Sequence, residues 1–204
     1  MQSSKGSEFE LVVAPPSTWA LRAWLTLKLC GVPFHLQNVS HDFLLDKPRM
    51  LQLSDTGLVP VLIHNGLKIH DSLAIAEYLH ELFPNKQLYP GNRQLRAQAR
   101  SLVAELHSGF TALRTQLPFF IGEPKSGLVD ANGKNELRRL SECWANATLP
   151  FYFAEPGVVD AFYAVMAARL YRYQITVEAS AEPYFQSLLR WNLLQEGLAD
   201  QAGW

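Results

Sequence analysis

Residues Gly57–Leu82 read GLVPVLIHNGLKIHDSLAIAEYLHEL, and the pattern of that stretch decides the fold. Val61-Leu62-Ile63 is a short apolar run rich in β-branched residues, as a buried strand requires. Asn65-Gly66 follows, the pair that best accepts the positive φ angles of a two-residue hairpin turn. Leu67-Lys68-Ile69 alternates and reads as the returning strand. Asp71-Ser72 then opens a helix in which Ile75, Leu79 and Leu82 recur at spacings of four and three. Pro60 stands at the mouth of the first strand, where it sacrifices no ladder hydrogen bond. Strand, tight turn, strand, acid-plus-hydroxyl and helix together form a scaffold able to hold a small extended molecule by its backbone and its carboxylate.

Upstream, Phe9–Val13 is predicted as a strand that Pro15-Pro16 stops. Leu21, Leu25 and Leu29 mark a helix ended by Gly31 and Pro33, and Phe34–Val39 alternates as a second strand. A helix-length link between two strands implies a parallel, right-handed crossover. Residues 40–55 read as an irregular loop with at most one short helix. The order is strand-helix-strand, then strand-strand-helix. Downstream of Asn92 the pattern is helical: one long helix from Arg93 to about Gln116, a second over Asn135–Ala147, a third over Gly157–Tyr173 and two short terminal ones. Phe151–Phe153 is the one further candidate strand. The predicted organisation is an α/β domain over residues 9–83, a polar linker over 84–91 and an all-α domain over 92–204, after a disordered lead-in at 1–8.

The 204 residues are 48% apolar and 18% charged, with a formal net charge of −1. That suits a globular protein with a substantial core, gives no electrostatic case for nucleic acid or anionic lipid as partner, and includes no run long enough to span a membrane. The N-terminus lacks the apolar segment of a signal peptide. The two cysteines, Cys30 and Cys143, form no CxxC pair and read as buried thiols in a reducing compartment. The six histidines show no metal-ligand spacing, so no metal is expected.

Three places carry candidate chemistry. Ser17 follows the first strand and opens the first helix, where backbone N–H groups converge and the helix dipole is positive. It reads either as an N-cap or as a hydroxyl that donates to an anion. With no GxSxG elbow and no base nearby in sequence, a nucleophilic serine is disfavoured. Val59-Pro60 precedes the hairpin, where a cis bond is tolerated and the Val59 backbone would be free to pair with an extended peptide. A plain edge-strand proline is the alternative. Asp71-Ser72 at a helix N-terminus can receive a carboxylate and an ammonium group, or serve only as a cap.

Together these residues resemble the cytosolic glutathione transferases, and the resemblance runs from about Phe9 to Asp200. Pro16–Trp24 (PSTWALRAW) is similar to the serine-bearing helix start of zeta, theta and related bacterial members. TGLVPVL resembles the family's cis-proline signature, DSLAIAEYL its acid-serine signature, and Ala99–Arg114 the first helix of its helical domain. Val158–Ala164 is similar to the buried capping-box helix. The resemblance implies a thioredoxin-like glutathione-binding domain joined to an all-helical domain, in a cytoplasmic homodimer. It also implies an enzyme that takes glutathione as co-substrate and adds its thiol to a small electrophile. Ser17 would hydrogen-bond the sulfur, with Thr18 as the fallback. Val59 and Pro60 would pair with the cysteinyl unit, Asp71 and Ser72 would hold the γ-glutamyl head, and His41 is a candidate for the glycyl carboxylate.

His107, Ser108, Thr111 and Arg114, with Glu105, mark the second-substrate site; positions 107, 111 and 114 share one helical face, suiting a polar or anionic electrophile. Two departures stand out: Leu58 where many members carry Lys, and Gly157 where the capping box usually has Ser or Thr. The segment between Phe119 and Pro156 is short. A zeta-like glutathione-dependent isomerase and a non-catalytic interaction protein of the same fold are the alternatives. A thiol-disulfide enzyme would need a cysteine near position 17, and none is there.

Overall fold

The computed structural model describes residues 8–39 and 47–204. Four strands, β1 (Phe9–Val13), β2 (Phe34–Asn38), β3 (Val61–His64) and β4 (Leu67–His70), form one sheet in the order β2-β1-β3-β4. β1 and β2 run parallel, joined through α1 (Thr18–Cys30), while β3 is antiparallel to both β1 and β4. The parallel pairing of β1 with β2 and the hairpin are therefore those the sequence predicts. Asn65 and Gly66 take φ of 49° and 82°, the two positive values of a type I′ turn. Gly31 caps the end of α1 at φ 68°, a left-handed conformation in which glycine carries no Cβ penalty.

The strand period of two sorts β1 onto two faces. Phe9, Leu11 and Val13 enter the main core with α1 and α3 (Ser72–Leu82). Val12 joins Val39, Met50 and Val61 in a smaller cluster on the other face, with Met50 supplied by α2 (Lys47–Leu53). α2 is the short helix foreseen within residues 40–55.

The C-terminal region is helical: α4 (Arg93–Ser108), α5 (Thr111–Gln116), α6 (Ala131–Trp144), α7 (Val158–Arg172), α8 (Glu182–Arg190) and α9 (Asn192–Gln201). Three predictions need correction. The long helix from Arg93 is broken: Gly109 is extended and Phe110 takes φ 55°. The Glu136 carboxylate then accepts from the Ala112 and Leu113 amides at 3.1 and 2.8 Å, so a side chain from α6 caps the new helix. Residues 107, 111 and 114 therefore do not share one continuous helical face. α6 begins near Asp130, whose side chain accepts from Gly133 N–H at 2.9 Å, not at Asn135. Phe151–Phe153 forms no strand; Phe153 makes only an isolated bridge to Glu155.

α7 is the centre of this region and is buried along nearly its whole length. The stretch between α3 and α4 begins with a turn of 3-10 helix (Pro84–Lys86) and then buries Leu88 and Tyr89. It is anchored to α7, because Val158 N–H donates to Leu88 O at 2.9 Å. That contact explains Gly157: a Cβ there would lie 2.7 Å from Leu88 O, so Ser or Thr does not fit. The other half of the capping box is kept, with Gly157 N–H donating to Asp160 Oδ2 at 2.9 Å. α1 is shared between the two parts, since the Arg22 guanidinium sits over the Phe162 ring of α7 at 4.9 Å. From the other side, Gly197 of α9 admits Leu21 and Trp24 where a Cβ would meet them at 2.8 and 3.0 Å.

Candidate functional site

Three backbone features of the N-terminal part converge. β1 ends in Pro15-Pro16, which turn the chain into α1. The loop before β3 carries Leu58, Val59 and Pro60, and β4 runs into the start of α3. Between them lies a cavity of about 510 Å³ lined by Ser17, Trp19, Val59, Pro60, Asp71 and Ser72, with Pro15, Pro16, Leu58 and His70 at its sides. Ser17, Val59, Pro60, Asp71 and Ser72 are thus brought to one space from three separate places in the chain.

Ser17 is the N-cap of α1: its Oγ accepts from Ala20 N–H at 3.1 Å. A hydroxyl has one proton and two lone pairs, so a capping serine still has a proton to donate. The turn is held from two sides, by Ser17 N–H to Ala14 O at 2.9 Å and by the Gln201 side-chain amide, which donates to Ser17 O at 2.9 Å. Gln201 is fully buried at the end of α9 and lies outside the sequence prediction; in the half-polar α9 (NLLQEGLADQ) no pattern sets it apart. Thr18 does not line the cavity. Its hydroxyl is buried and accepts from Arg169 Nη2 at 3.5 Å.

The Val59–Pro60 bond is cis. The register of β3 with both neighbours begins at Val61, so Val59 stands outside the ladders where it borders the cavity. Leu58, next to it, is exposed.

Asp71 and Ser72 divide the start of α3 between them. Asp71 Oδ1 accepts from the Leu73 and Ala74 amides at 2.7 and 3.2 Å. Asp71 holds φ 77°, ψ 129°, a region costly for a residue with a side chain, of the kind that clusters at binding and catalytic sites. Its other oxygen, Oδ2, receives His107 Nε2 at 3.1 Å. Burial lowers the His107 pKa against the opposing pull of Asp71, so at neutral pH this contact is a neutral imidazole N–H donated to a carboxylate. Ser72 is 1% exposed and its Oγ has no hydrogen-bond partner among the described residues. A buried hydroxyl left unpaired costs about 1–3 kcal/mol, and here it lies at the wall of a cavity and at a helix N-terminus, where anions are favoured.

Of the remaining predicted residues, His41 lies outside the described residues. His107 reaches the cavity through Asp71, and its ring packs edge-on to Trp19 at 5.0 Å between centroids. Arg114 lies against the same Trp19 ring at 4.9 Å, while its guanidinium donates to the carbonyls of Leu106 and His107. Ser108 and Thr111 are not brought to the cavity: both are exposed, and Ser108 Oγ donates to Ala104 O within its own helix at 2.9 Å. Glu105 is engaged by Arg139 on the far side, at 2.7 Å. Among the described residues no group of three or more His, Cys, Asp or Glu is placed to hold a metal ion. None of their helices is long and apolar enough to cross a membrane.

A parallel-antiparallel four-stranded sheet with a cis-proline before its hairpin, followed by a helical region, defines a thioredoxin-like module with a helical partner. The comparisons give that architecture its family. Residues 16–82 match the family model for the glutathione S-transferase N-terminal domain. A probable glutathione transferase from Aplysia californica is 39% identical over 83 residues, 40% of this chain and 87% of that one. Glutathione S-transferase 1 of Dianthus caryophyllus is 38% identical over 109 residues, which make up 50% of this chain and 48% of the Dianthus protein. The match thus spans about half the length of that relative. In structure, a glutathione transferase homolog from Burkholderia gl BGR1, solved with bound glutathione, superposes with a TM-score of 0.73 at 24% identity, over 96% of this chain and 99% of that one. A sphingomonad glutathione S-transferase complexed with glutathione gives 0.72 at 20% identity, over 95% and 98%. The chain belongs to the glutathione S-transferase family.

Proposed function

We propose that the protein is a glutathione transferase of the serine type, in which the cavity at the start of α1 and α3 holds glutathione. The observation that carries this reading is the meeting of Ser17, Val59, Asp71 and Ser72 around one cavity, with the Ser72 hydroxyl buried and unpaired among the described residues. Ser72 and the first turn of α3 receive the γ-glutamyl carboxylate, and Asp71 accepts from its ammonium group. The Val59 backbone pairs with the cysteinyl unit beside Pro60. The Ser17 hydroxyl donates to the sulfur. Thr18, occupied by Arg169 and outside the cavity, is the weaker candidate.

A free thiol of pKa about 8.5 is only a few per cent ionised at pH 7. Lowering that pKa by two units takes about 2.7 kcal/mol, within reach of one charge-assisted hydrogen bond together with the helix terminus. The thiolate then attacks an electrophilic carbon. A C–S bond forms and either a leaving group departs with its electron pair or a carbanion takes a proton from solvent. His107 and Arg114, on the helical side of Trp19, face the electrophile. The linker at residues 84–91, read from its polar, Pro-Gly composition, divides a glutathione-binding domain (9–83) from the helical one (92–204), and the working form is a cytoplasmic homodimer, carried over from the family resemblance.

Calorimetric titration with glutathione and turnover of a panel of electrophiles test the proposal. Micromolar-to-millimolar binding, with turnover that falls in Ser17→Ala, is expected. Absence of glutathione binding in the wild type would sink the reading and favour an interaction protein that keeps only the fold.

A further inference from the structure

Behind Trp19 lies a concentration of positive charge that the proposed glutathione contacts do not use. Arg22, in the first half of α1, is 2% exposed, and its Nε and Nη1 have no hydrogen-bond partner among the described residues. Its guanidinium packs on the Trp19 ring at 4.5 Å from the centroid, and Arg114 packs on the same ring at 4.9 Å. Arg169, from α7, is also buried; it donates to Leu117 O at 2.6 Å and to Thr18 Oγ1 at 3.5 Å. Three elements that are remote in sequence thus bring three guanidinium groups around Thr18 and Trp19.

None of the three forms an ion pair among the described residues. The carboxylates that act on them are already engaged. Asp71, the one acting on Arg22, is bound by two amides and His107. Glu136, the one acting on Arg114, caps α5. Burial lowers the Arg22 pKa well below its ordinary value, and repulsion by Arg114 and Arg169 lowers it further. Burying a cation without a partner is costly, and a buried guanidinium with two idle donors is not a state that apolar packing compensates. Rings on both sides stabilise Arg22 only in part, since its guanidinium lies over Trp19 and over Phe162 at 4.9 Å. An anion within reach of these donors would offset that cost.

The position says which anion. Trp19 lines the cavity beside Ser17, so the cluster borders the place where the thiolate would stand. Trp19, His107 and Arg114 are partly exposed, whereas Arg22, Arg169 and Thr18 are buried, so the cluster has an open side and a closed one. We propose that Arg22, Arg114 and Arg169, with the Thr18 hydroxyl, form an anion site that binds the carboxylate of an acidic electrophile and aims its reactive carbon at the glutathione sulfur. This deepens the transferase reading and rests on it. It also moves the second-substrate site from Ser108 and Thr111 to the inner face of α1 and α7. Guanidinium groups suit this role because they stay charged and match carboxylate oxygens with several N–H donors. In that role Arg22 is a specificity-determining residue.

The test uses 4-chloro-3,5-dinitrobenzoate and its methyl ester, which undergo the same reaction: the thiolate attacks the ring carbon, the C–S bond forms, and chloride leaves with the bonding electrons. The wild type is expected to favour the acid in kcat/KM. In Arg22→Met and in the partly exposed Arg114→Gln, the acid-to-ester ratio is expected to fall about tenfold or more, as the loss of a hydrogen bond to a charged group of about 1.5–3 kcal/mol implies. Thermal unfolding shows whether Arg22→Met folds, and Arg114→Gln carries the test if it does not. Calorimetric binding of the unreactive 3,5-dinitrobenzoate against its methyl ester gives a readout independent of turnover. Equal binding of acid and ester by the wild type, or an unchanged ratio in the variants, overturns the anion site. Absent glutathione binding alongside tight dinitrobenzoate binding would instead overturn the transferase reading and leave the anion site standing.

Discussion

The helix starts at the cavity and the helix start at the centre of the helical region are built from similar residues and do opposite things. At α7, Asp160 is spent entirely inside the chain. Its carboxylate accepts from Tyr152 N–H at 2.8 Å, Tyr184 OH at 2.7 Å and Gly157 N–H at 2.9 Å. Gly157 is pressed against Leu88 O so closely that no side chain fits. At α1 and α3, by contrast, polar groups are left over. Ser17 caps with a lone pair and keeps a proton; Asp71 caps from a strained backbone, and Ser72 keeps a buried hydroxyl with no partner among the described residues. A closed start fixes the fold, whereas an open start leaves polar groups available to the proposed ligand.

The contrast can be broken by substitution. The largest expected effect is at Ser17. Loss of one preorganised donor to a developing or bound anion typically costs 10²–10³ in rate, about 3–4 kcal/mol. Ser17→Ala should lower kcat/KM on that scale while costing only about 1 kcal/mol of stability as a lost cap, read by steady-state kinetics beside chemical denaturation.

At the closed start the balance reverses. Asp160→Ala leaves three donors unpaired in the core and should lower stability by about 3 kcal/mol, seen in urea unfolding. The same carboxyl carries a pH signature. Burial pushes its pKa up to about 6, against hydrogen bonds from Tyr184, Tyr152 and Gly157. Its folded pKa is therefore above the ordinary unfolded value near 4. Between those two values the folded state binds more protons, so this group's contribution to stability falls as pH rises from about 4 to about 6 and is flat above. Removal of that slope in Asp160→Asn is the measurement that checks it.

Gly157→Ser should restore a cap by chemistry and fail by space. The clash with Leu88 O predicts a loss of about 1–3 kcal/mol, and a midpoint equal to or above the wild type in thermal unfolding would show that Leu88 yields. The smallest effect sharpens the comparison most. Ser72→Ala removes an orphan hydroxyl, so stability should hold or rise slightly, while glutathione affinity falls about tenfold by calorimetry, the loss of one hydrogen bond to a charged group. Loss of stability with unchanged affinity would place Ser72 among the closed caps.

The sheet was legible because its signals are local. Asn65-Gly66, the β-branched run at Val61, Gly31 before Pro33 and the spacing of Ile75, Leu79 and Leu82 each act within a few residues. The cavity residues were legible as candidates for the same reason. Their roles were not, because whether a hydroxyl is spent on a cap depends on what else reaches it. Arg169 decides Thr18, Gln201 steadies Ser17 and His107 holds Asp71, from 151, 184 and 36 residues away in sequence. The break at Gly109–Phe110 was missed because the cap of α5 is a carboxylate from α6. Gly157 read as a weakened capping box until Leu88 appeared beside it. Arg22 left one visible trace, a charge within the otherwise apolar stretch Trp19–Leu25 of α1.

The central claim is that Ser17, a helix cap, also donates to the glutathione sulfur. The direct measurement is the pH titration of thiolate absorbance for glutathione bound to the wild type and to Ser17→Ala. The bound thiol is expected to ionise well below the free value of about 8.5 in the wild type and to return toward it in the variant. Bound glutathione with the same thiol pKa in both proteins would contradict it.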